Sequence, residues 1–222
     1  YLRRLSNKIK SDIFEHKNYI GGRYSVLSEV GMLPAELMGL NEKNFKKFNY
    51  LIKNKRFLEN LIINVENIIH YVKKNKENSI ILNYDESSEN FFKWYQQLTA
   101  ESLGKKSKGI TPIISSMPKD NHSLLQLYLD GPKNCFFTFF NVTSKTSNKQ
   151  SNKFILDDKK YLKNKNLSEI LEAQEKSTQN IFRKKNIPFR SFKIKKKDEN
   201  TLGELFCFCV LETILLLSLI HI

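Results

Sequence analysis

The segment Cys135-Phe-Phe-Thr-Phe-Phe-Asn-Val142 limits what this chain can fold into more than any other. Side chains alternate between the two faces of a strand, so a strand wetted on one side must alternate apolar and polar residues. Here apolar residues occupy odd and even positions alike. The segment reads as a strand covered on both faces. Ser79-Ile-Ile-Leu-Asn-Tyr84 and Gly109-Ile-Thr-Pro-Ile-Ile114 read as further buried strands, and Pro188 to Ile194 as a fourth. Pro112 cannot donate to a ladder, which places the second of these toward an edge or a strand end.

The stretches between the strands switch to helical spacing. From Asn41 to about Lys74, apolar residues from Phe45 and Phe48 through Ile68 and Ile69 predict one or two long amphipathic helices. Glu89 to Leu103 is a helix rich in aromatic residues. His122 to Leu129 is a short helix stopped by Asp130-Gly131-Pro132. Thr143 to Asn152 is a polar loop. Leu167 to Lys185 is a helix that Ser168 could cap, with Leu171 three residues on and therefore no capping box. Thr201 onward is an apolar helix. Strands covered on both faces and alternating with helices mean βαβ units, hence an α/β fold around a mostly parallel sheet.

Composition bounds the partners. With 222 residues and 40% apolar content the chain can bury a sizeable core. Three cysteines give neither a disulfide scaffold nor a four-ligand zinc pattern, and free thiols suit a reducing compartment. The net charge of +14 raises the question of nucleic acid. Only six of the 37 basic residues are Arg, however, and the Lys residues are scattered with Asn along most of the chain. Arg is the side chain that reads bases and phosphates bidentately, so no nucleic-acid partner is expected. A positive surface would still attract an anionic substrate such as a sugar phosphate. The last 18 residues, Leu205 to Ile222, carry Glu212 as their one charge and have the length of a membrane span. A core helix reads the same, and a carboxylate in mid-span disfavours lipid, so no membrane partner is expected. No segment resembles a signal peptide. The opening at Tyr1 and the ending inside an apolar stretch predict a piece of a longer protein.

Three places could carry chemistry. In Gly21-Gly22-Arg23-Tyr24-Ser25, glycines allow close approach to a ligand and Arg23 could face a developing oxyanion. Pattern alone better describes a plain turn with a surface Arg. Glu101 ends the aromatic-rich helix; an apolar setting there would raise its pKa toward neutrality, as suits a general base. Gln97 lies one turn earlier on the same face. A solvated Glu at a helix end is the plainer alternative. His122 falls at a helix start, where the positive end of the dipole favours neutral imidazole; a surface His is the alternative. His16, His70 and His221 read as structural.

Taken together these segments resemble the glucose-6-phosphate isomerase family, bacterial type. Gly21-Gly-Arg-Tyr-Ser-Val-Leu-Ser-Glu-Val-Gly31 is similar to its first signature. Trp94-Tyr-Gln-Gln-Leu-Thr-Ala-Glu-Ser-Leu-Gly-Lys105 resembles the segment bearing its catalytic Glu, and Asp120-Asn-His-Ser-Leu-Leu-Gln-Leu-Tyr-Leu-Asp-Gly131 the segment bearing its catalytic His. Leu202-Gly-Glu-Leu-Phe206 before Leu211-Glu-Thr-Ile-Leu-Leu216 resembles the helix that precedes its last signature. The resemblance spans residues 11 to 216 in order and spacing.

The resemblance implies interconversion of glucose 6-phosphate and fructose 6-phosphate through a cis-enediolate, in glycolysis and gluconeogenesis. His122 would open the sugar ring, Glu101 would carry a proton between C2 and C1, and Arg23 would stabilise the intermediate. Gln97 and the backbone at Gly22 would hold substrate hydroxyls. No metal or redox cofactor is implied. The implied assembly is a cytoplasmic homodimer with active sites shared between subunits. The implied fold is the αβα sandwich of sugar-isomerase (SIS) type around a five-stranded parallel sheet. Residues 1–40 would be the tail of a first SIS domain and 41–216 an incomplete second one, with 217–222 a non-native tail. The family's Ser/Thr phosphate loop and its ring-opening Lys have no match here, so the piece by itself is expected to be inactive. A non-catalytic SIS module that binds sugar phosphates and regulates a partner is the alternative.

Overall fold

The computed structural model describes residues 1–143 and 157–221. Ten α-helices lie among them: α1 (Leu2–Ile9), α2 (Glu29–Leu37), α3 (Glu42–Phe45), α4 (Phe48–Leu51), α5 (Lys55–Lys73), α6 (Glu89–Leu103), α7 (Asp120–Ser123), α8 (Leu125–Asp130), α9 (Leu167–Lys184) and α10 (Glu199–Ile220). The four strands are β1 (Asn78–Asn83), β2 (Thr111–Ser116), β3 (Cys135–Val142) and β4 (Phe189–Ile194). They form one sheet in the order β2-β1-β3-β4, and all three pairings are parallel.

The order explains the burial. β1 and β3 are central and buried almost throughout, as their two-sided apolar sequence requires. β2 and β4 are edges. Pro112 sits on β2 opposite Ser79, where an edge tolerates its missing donor. Alternate residues of β3 face opposite layers. Phe137 and Phe139 join Ile80 and Leu82 under α8 and α9, packed on Tyr128 and Phe182. Phe136 and Phe140 face the other way, toward α5, α6 and α10, where Leu61, Val65, Leu98 and Leu216 close the layer. The result is the expected α/β sandwich of three layers. Each fully buried Phe contributes roughly 1.5–3 kcal/mol of transfer free energy, so β3 anchors both layers.

Several expectations need correction. The fifth strand implied by the resemblance is absent among the described residues; four β-patterned runs give four strands. Residues 41–74 form two single turns and one long helix, because asparagines restart the chain. Asn41 accepts from the Lys43 amide and Asn54 from the Phe57 amide. The helix expected from His122 to Leu129 is broken at Leu124 into α7 and α8. The cap of α9 is Asn166, not Ser168, and a capping box is present. Asn166 Oδ1 accepts from the Glu169 amide at 2.8 Å, and Glu169 Oε2 accepts from the Asn166 amide at 2.9 Å. The polar loop expected over Thr143 to Asn152 lies, after Thr143, outside the described residues.

α10 is long and apolar enough to cross a membrane, and here it packs along the sheet as a core helix. Its mid-span Glu212 is fully buried and paired with Arg190 of β4 at 2.5 Å. Near its start, Gly203 lets α10 touch α3: a Cβ there would lie 2.5 Å from the Phe45 carbonyl oxygen.

Candidate active site

α6 buries Phe92, Tyr95, Leu98, Thr99, Ser102 and Leu103 against the sheet and α10. That register leaves Gln97 and Glu101 on the opposite, exposed side, one turn apart. Gln97 Nε2 donates to Glu101 Oε2 at 3.3 Å. The Gly21–Ser25 segment enters a short 3-10 turn, Gly22–Leu27, and is clamped to the same helix. Trp94 Nε1 donates to the Arg23 carbonyl at 3.0 Å. Tyr24 Oη and Ser102 Oγ share a hydrogen bond of 2.8 Å. Ser25 Oγ closes the turn by donating to the Gly22 carbonyl at 2.7 Å.

These contacts deliver Arg23 to Glu101. Arg23 Nη1 donates to Glu101 Oε1 at 2.7 Å, and Arg23 Nε donates to Ser102 Oγ at 2.7 Å. The guanidinium also lies over the Tyr24 ring, 5.0 Å from its centre. The Glu101 side chain is 52% exposed and that of Arg23 is 19% exposed. So open an ion pair adds at most about 1 kcal/mol to folding. What it does is present a carboxylate and a held guanidinium side by side at the surface. The apolar setting expected around Glu101 is not found: helix register turns the side chain outward, and its neighbours are Arg23 and Gln97. Gly21 and Gly22 are not at positive φ, so the turn does not require them. Nothing lies within 4 Å of a Cβ built on Gly22, which leaves the backbone there open to close approach.

His122 is not brought to this cluster within the chain. α6 starts at the C-terminal end of the parallel strands, just after β1, and runs back toward their N-terminal end. Glu101 therefore lies twelve residues down α6, roughly 18 Å from the C-terminal end of the strands, where α7 follows β2. There Asp120 ties the turn down. Its Oδ2 accepts from the Ser116 amide at 2.7 Å and from Ser115 Oγ at 3.0 Å. His122 stands exposed on that turn, and its ring has no hydrogen bond or ion pair among the described residues. It is the third residue of a four-residue helix, so the expected helix-dipole argument loses its basis. His16 Nε2 meets the Ile20 carbonyl, His70 packs on Tyr71, and His221 Nε2 meets the Leu103 carbonyl, all structural contacts.

Sequence reasoning missed the residues that hold the site: Tyr24, Trp94 and Ser102. Their signal was a polar residue, Ser102, one turn after Leu98 on the buried stripe of α6.

A family model described as phosphoglucose isomerase matches residues 8–193. The glucose-6-phosphate isomerase of Methanocaldococcus jannaschii is 32% identical over 210 residues, covering 92% of this chain and 52% of that protein. That of Campylobacter jejuni is 33% identical over 205 residues, covering 87% of this chain and 49% of that protein. The chain thus spans about half the length of the curated relatives it matches. Among solved structures, a hypothetical protein from Thermus thermophilus superposes with a TM-score of 0.86 at 22% identity, over 100% of this chain and 55% of that one. A glucose-6-phosphate isomerase from Chlamydia trachomatis gives 0.68 at 17% identity, over 94% and 45%. These two show the same fold. From the matched residues and the relatives together, the chain belongs to the phosphoglucose isomerase family.

Proposed function

We propose that the protein carrying this chain interconverts glucose 6-phosphate and fructose 6-phosphate by moving one proton between C1 and C2. The observation that carries this reading is the 2.7 Å contact of Arg23 with Glu101 at an open surface. A carboxylate on one face of a cis-enediolate can serve both carbons, and a guanidinium beside it can neutralise the oxygen that becomes negative. Glu101 is the base in this reading, and Arg23 the oxyanion partner. Gln97 and the Gly22 backbone would hold substrate hydroxyls. The hydrogen moves as a proton, so the step is redox-neutral overall and calls for no metal.

His122 would assist ring opening at a site completed by a second copy of the chain. Its placement at the opposite end of the sheet from Glu101 supports a shared site. The three cysteines are free, which fits a cytoplasmic setting.

The test is a coupled assay on the full-length protein, supplied with fructose 6-phosphate. Glu101→Gln should cut turnover by about 10²-fold or more while substrate still binds, as loss of a proton carrier does. Equal loss of binding and turnover would remove Glu101 from the role. Refolding Glu101→Gln and His122→Gln proteins together should regain about a quarter of the activity if sites are shared between two subunits, because half of random dimers hold one intact site. No regain would refute the shared site. Sugar-phosphate binding without isomerisation in the full-length protein would favour a sensor instead.

A further inference from the structure

We propose that Ser102 is a positioning residue for the isomerisation, acting by fixing the plane of the Arg23 guanidinium. The proposal rests on the function proposed above. Ser102 is completely buried on α6, in a stripe shared with Phe92, Tyr95, Leu98, Thr99 and Leu103. The fold does not need a hydroxyl at that position. Ala is the better helix former, and an unpartnered hydroxyl there would be costly to bury. Its oxygen is satisfied by two groups, both from the Gly21–Ser25 turn: Arg23 Nε at 2.7 Å and Tyr24 Oη at 2.8 Å.

A guanidinium has five N–H donors in a rigid plane. One contact leaves it free to swivel; two set its orientation. Ser102 takes Nε–H and Glu101 takes one Nη1–H. These acceptors are consecutive residues on the last turn of one helix, so they are fixed relative to each other. The second Nη1–H and both Nη2–H have no partner among the described residues. Those three donors are what Arg23 can offer to a substrate oxygen. Glu101 is not a lasting anchor, because a base that takes a proton loses its charge and its grip on Nη1. Ser102 is uncharged and stays in place through the reaction. At the moment negative charge grows on the substrate, it is the contact that keeps Arg23 aimed. Tyr24 supports it from behind, through the shared hydrogen bond and the ring beneath the guanidinium.

Three measurements test this on the full-length protein. Ser102→Ala should lower kcat for fructose 6-phosphate about tenfold to a hundredfold with KM moved less than about threefold, since a misplaced transition-state contact costs turnover rather than binding. Its thermal unfolding should stay within a few degrees of the parent. In an Arg23→Lys background, which has no Nε–H for Ser102 to hold, Ser102→Ala should cost nothing further. The Arg23 Nε–H signal in an ¹⁵N spectrum should be slow to exchange in the parent and fast in Ser102→Ala. Parent-like kcat in Ser102→Ala, or losses that multiply with Arg23→Lys, would overturn the positioning role. Unchanged Nε–H exchange would overturn the contact itself, whatever the assay gives. Absence of isomerase activity in the parent would sink the functional reading, and the exchange measurement separates that failure from this one.

Discussion

Glu212→Gln is the sharpest test of how this core is held. The carboxylate is fully buried and gathers four hydrogen bonds from three elements. Arg190 Nη1 donates to Oε1 at 2.5 Å and to Oε2 at 3.0 Å. Asn64 Nδ2 donates to Oε1 at 3.1 Å, and Tyr95 Oη donates to Oε2 at 3.2 Å. Arg190 in turn reaches Thr138 of β3 through Nε at 2.9 Å. One ion pair therefore ties α5, α6 and α10 to two strands. Burial works against the Arg190 charge, but the Glu212 carboxylate and Tyr95 outweigh it and push its pKa up. The guanidinium cannot escape by deprotonating. Gln keeps the volume, so no cavity forms, yet it strands that charge in a site whose side chain is 19% exposed. Loss of one partner from a buried pair costs about 3–5 kcal/mol. For a chain of this size that is a fall of about 10 °C in Tm. Urea unfolding reads it through Trp94, the one tryptophan, whose ring sits 4.8 Å from Phe206 of α10. Replacing both partners, Glu212→Leu with Arg190→Met, should recover part of the loss, because no charge is left stranded although Asn64, Tyr95 and Thr138 lose their partners. A Glu212→Gln protein within about 1 kcal/mol of the parent would refute the reasoning.

Gly203→Ala should destabilise although Ala favours helix by about 1 kcal/mol; the new methyl meets the Phe45 backbone at 2.5–2.6 Å, and overpacking of that kind costs about 1–3 kcal/mol, which a lowered urea midpoint would register. The turn Lys105–Lys108 carries positive φ at Lys106 (52°) and Ser107 (58°), so Lys106→Asn with Ser107→Gly should raise Tm by a few degrees, and an unchanged Tm would argue against a strained turn. Burial pushes the Glu175 pKa up, partly opposed by the 2.7 Å hydrogen bond from Asn141. A raised carboxylate pKa means the native state holds its proton longer, so this stability is present at low pH and lost as pH rises above the ordinary carboxylate range. Glu175→Gln should flatten that decline above the ordinary carboxylate range, as urea midpoints measured across pH would reveal.

Much of the fold was legible because its signals are local. A two-sided apolar strand such as 135–142 must be central, and a run such as Glu89–Leu103 repeats at helical spacing without reference to anything distant. Caps were less legible. Asn166 and Glu169 form a capping box that the apolar pattern alone, starting at Leu167, did not bring out, and Asn54 restarts the helix within a stretch that reads as one or two long helices. Glu212 was visible as an anomaly in an apolar helix, but its partner was not.

For the site, the sequence determined which residue types were available and that Gln97 and Glu101 share a helix face. Tertiary structure decided the rest. Arg23 and Glu101 are 78 residues apart and meet because Trp94, Tyr24 and Ser102 clamp one turn onto α6. His122, twenty-one residues from Glu101 in sequence, is carried to the other end of the sheet by β2. The physical reason is that periodicity records which face of an element is buried. Which elements then touch, and which polar groups satisfy one another across them, depends on packing between segments whose spacing in sequence carries no such information.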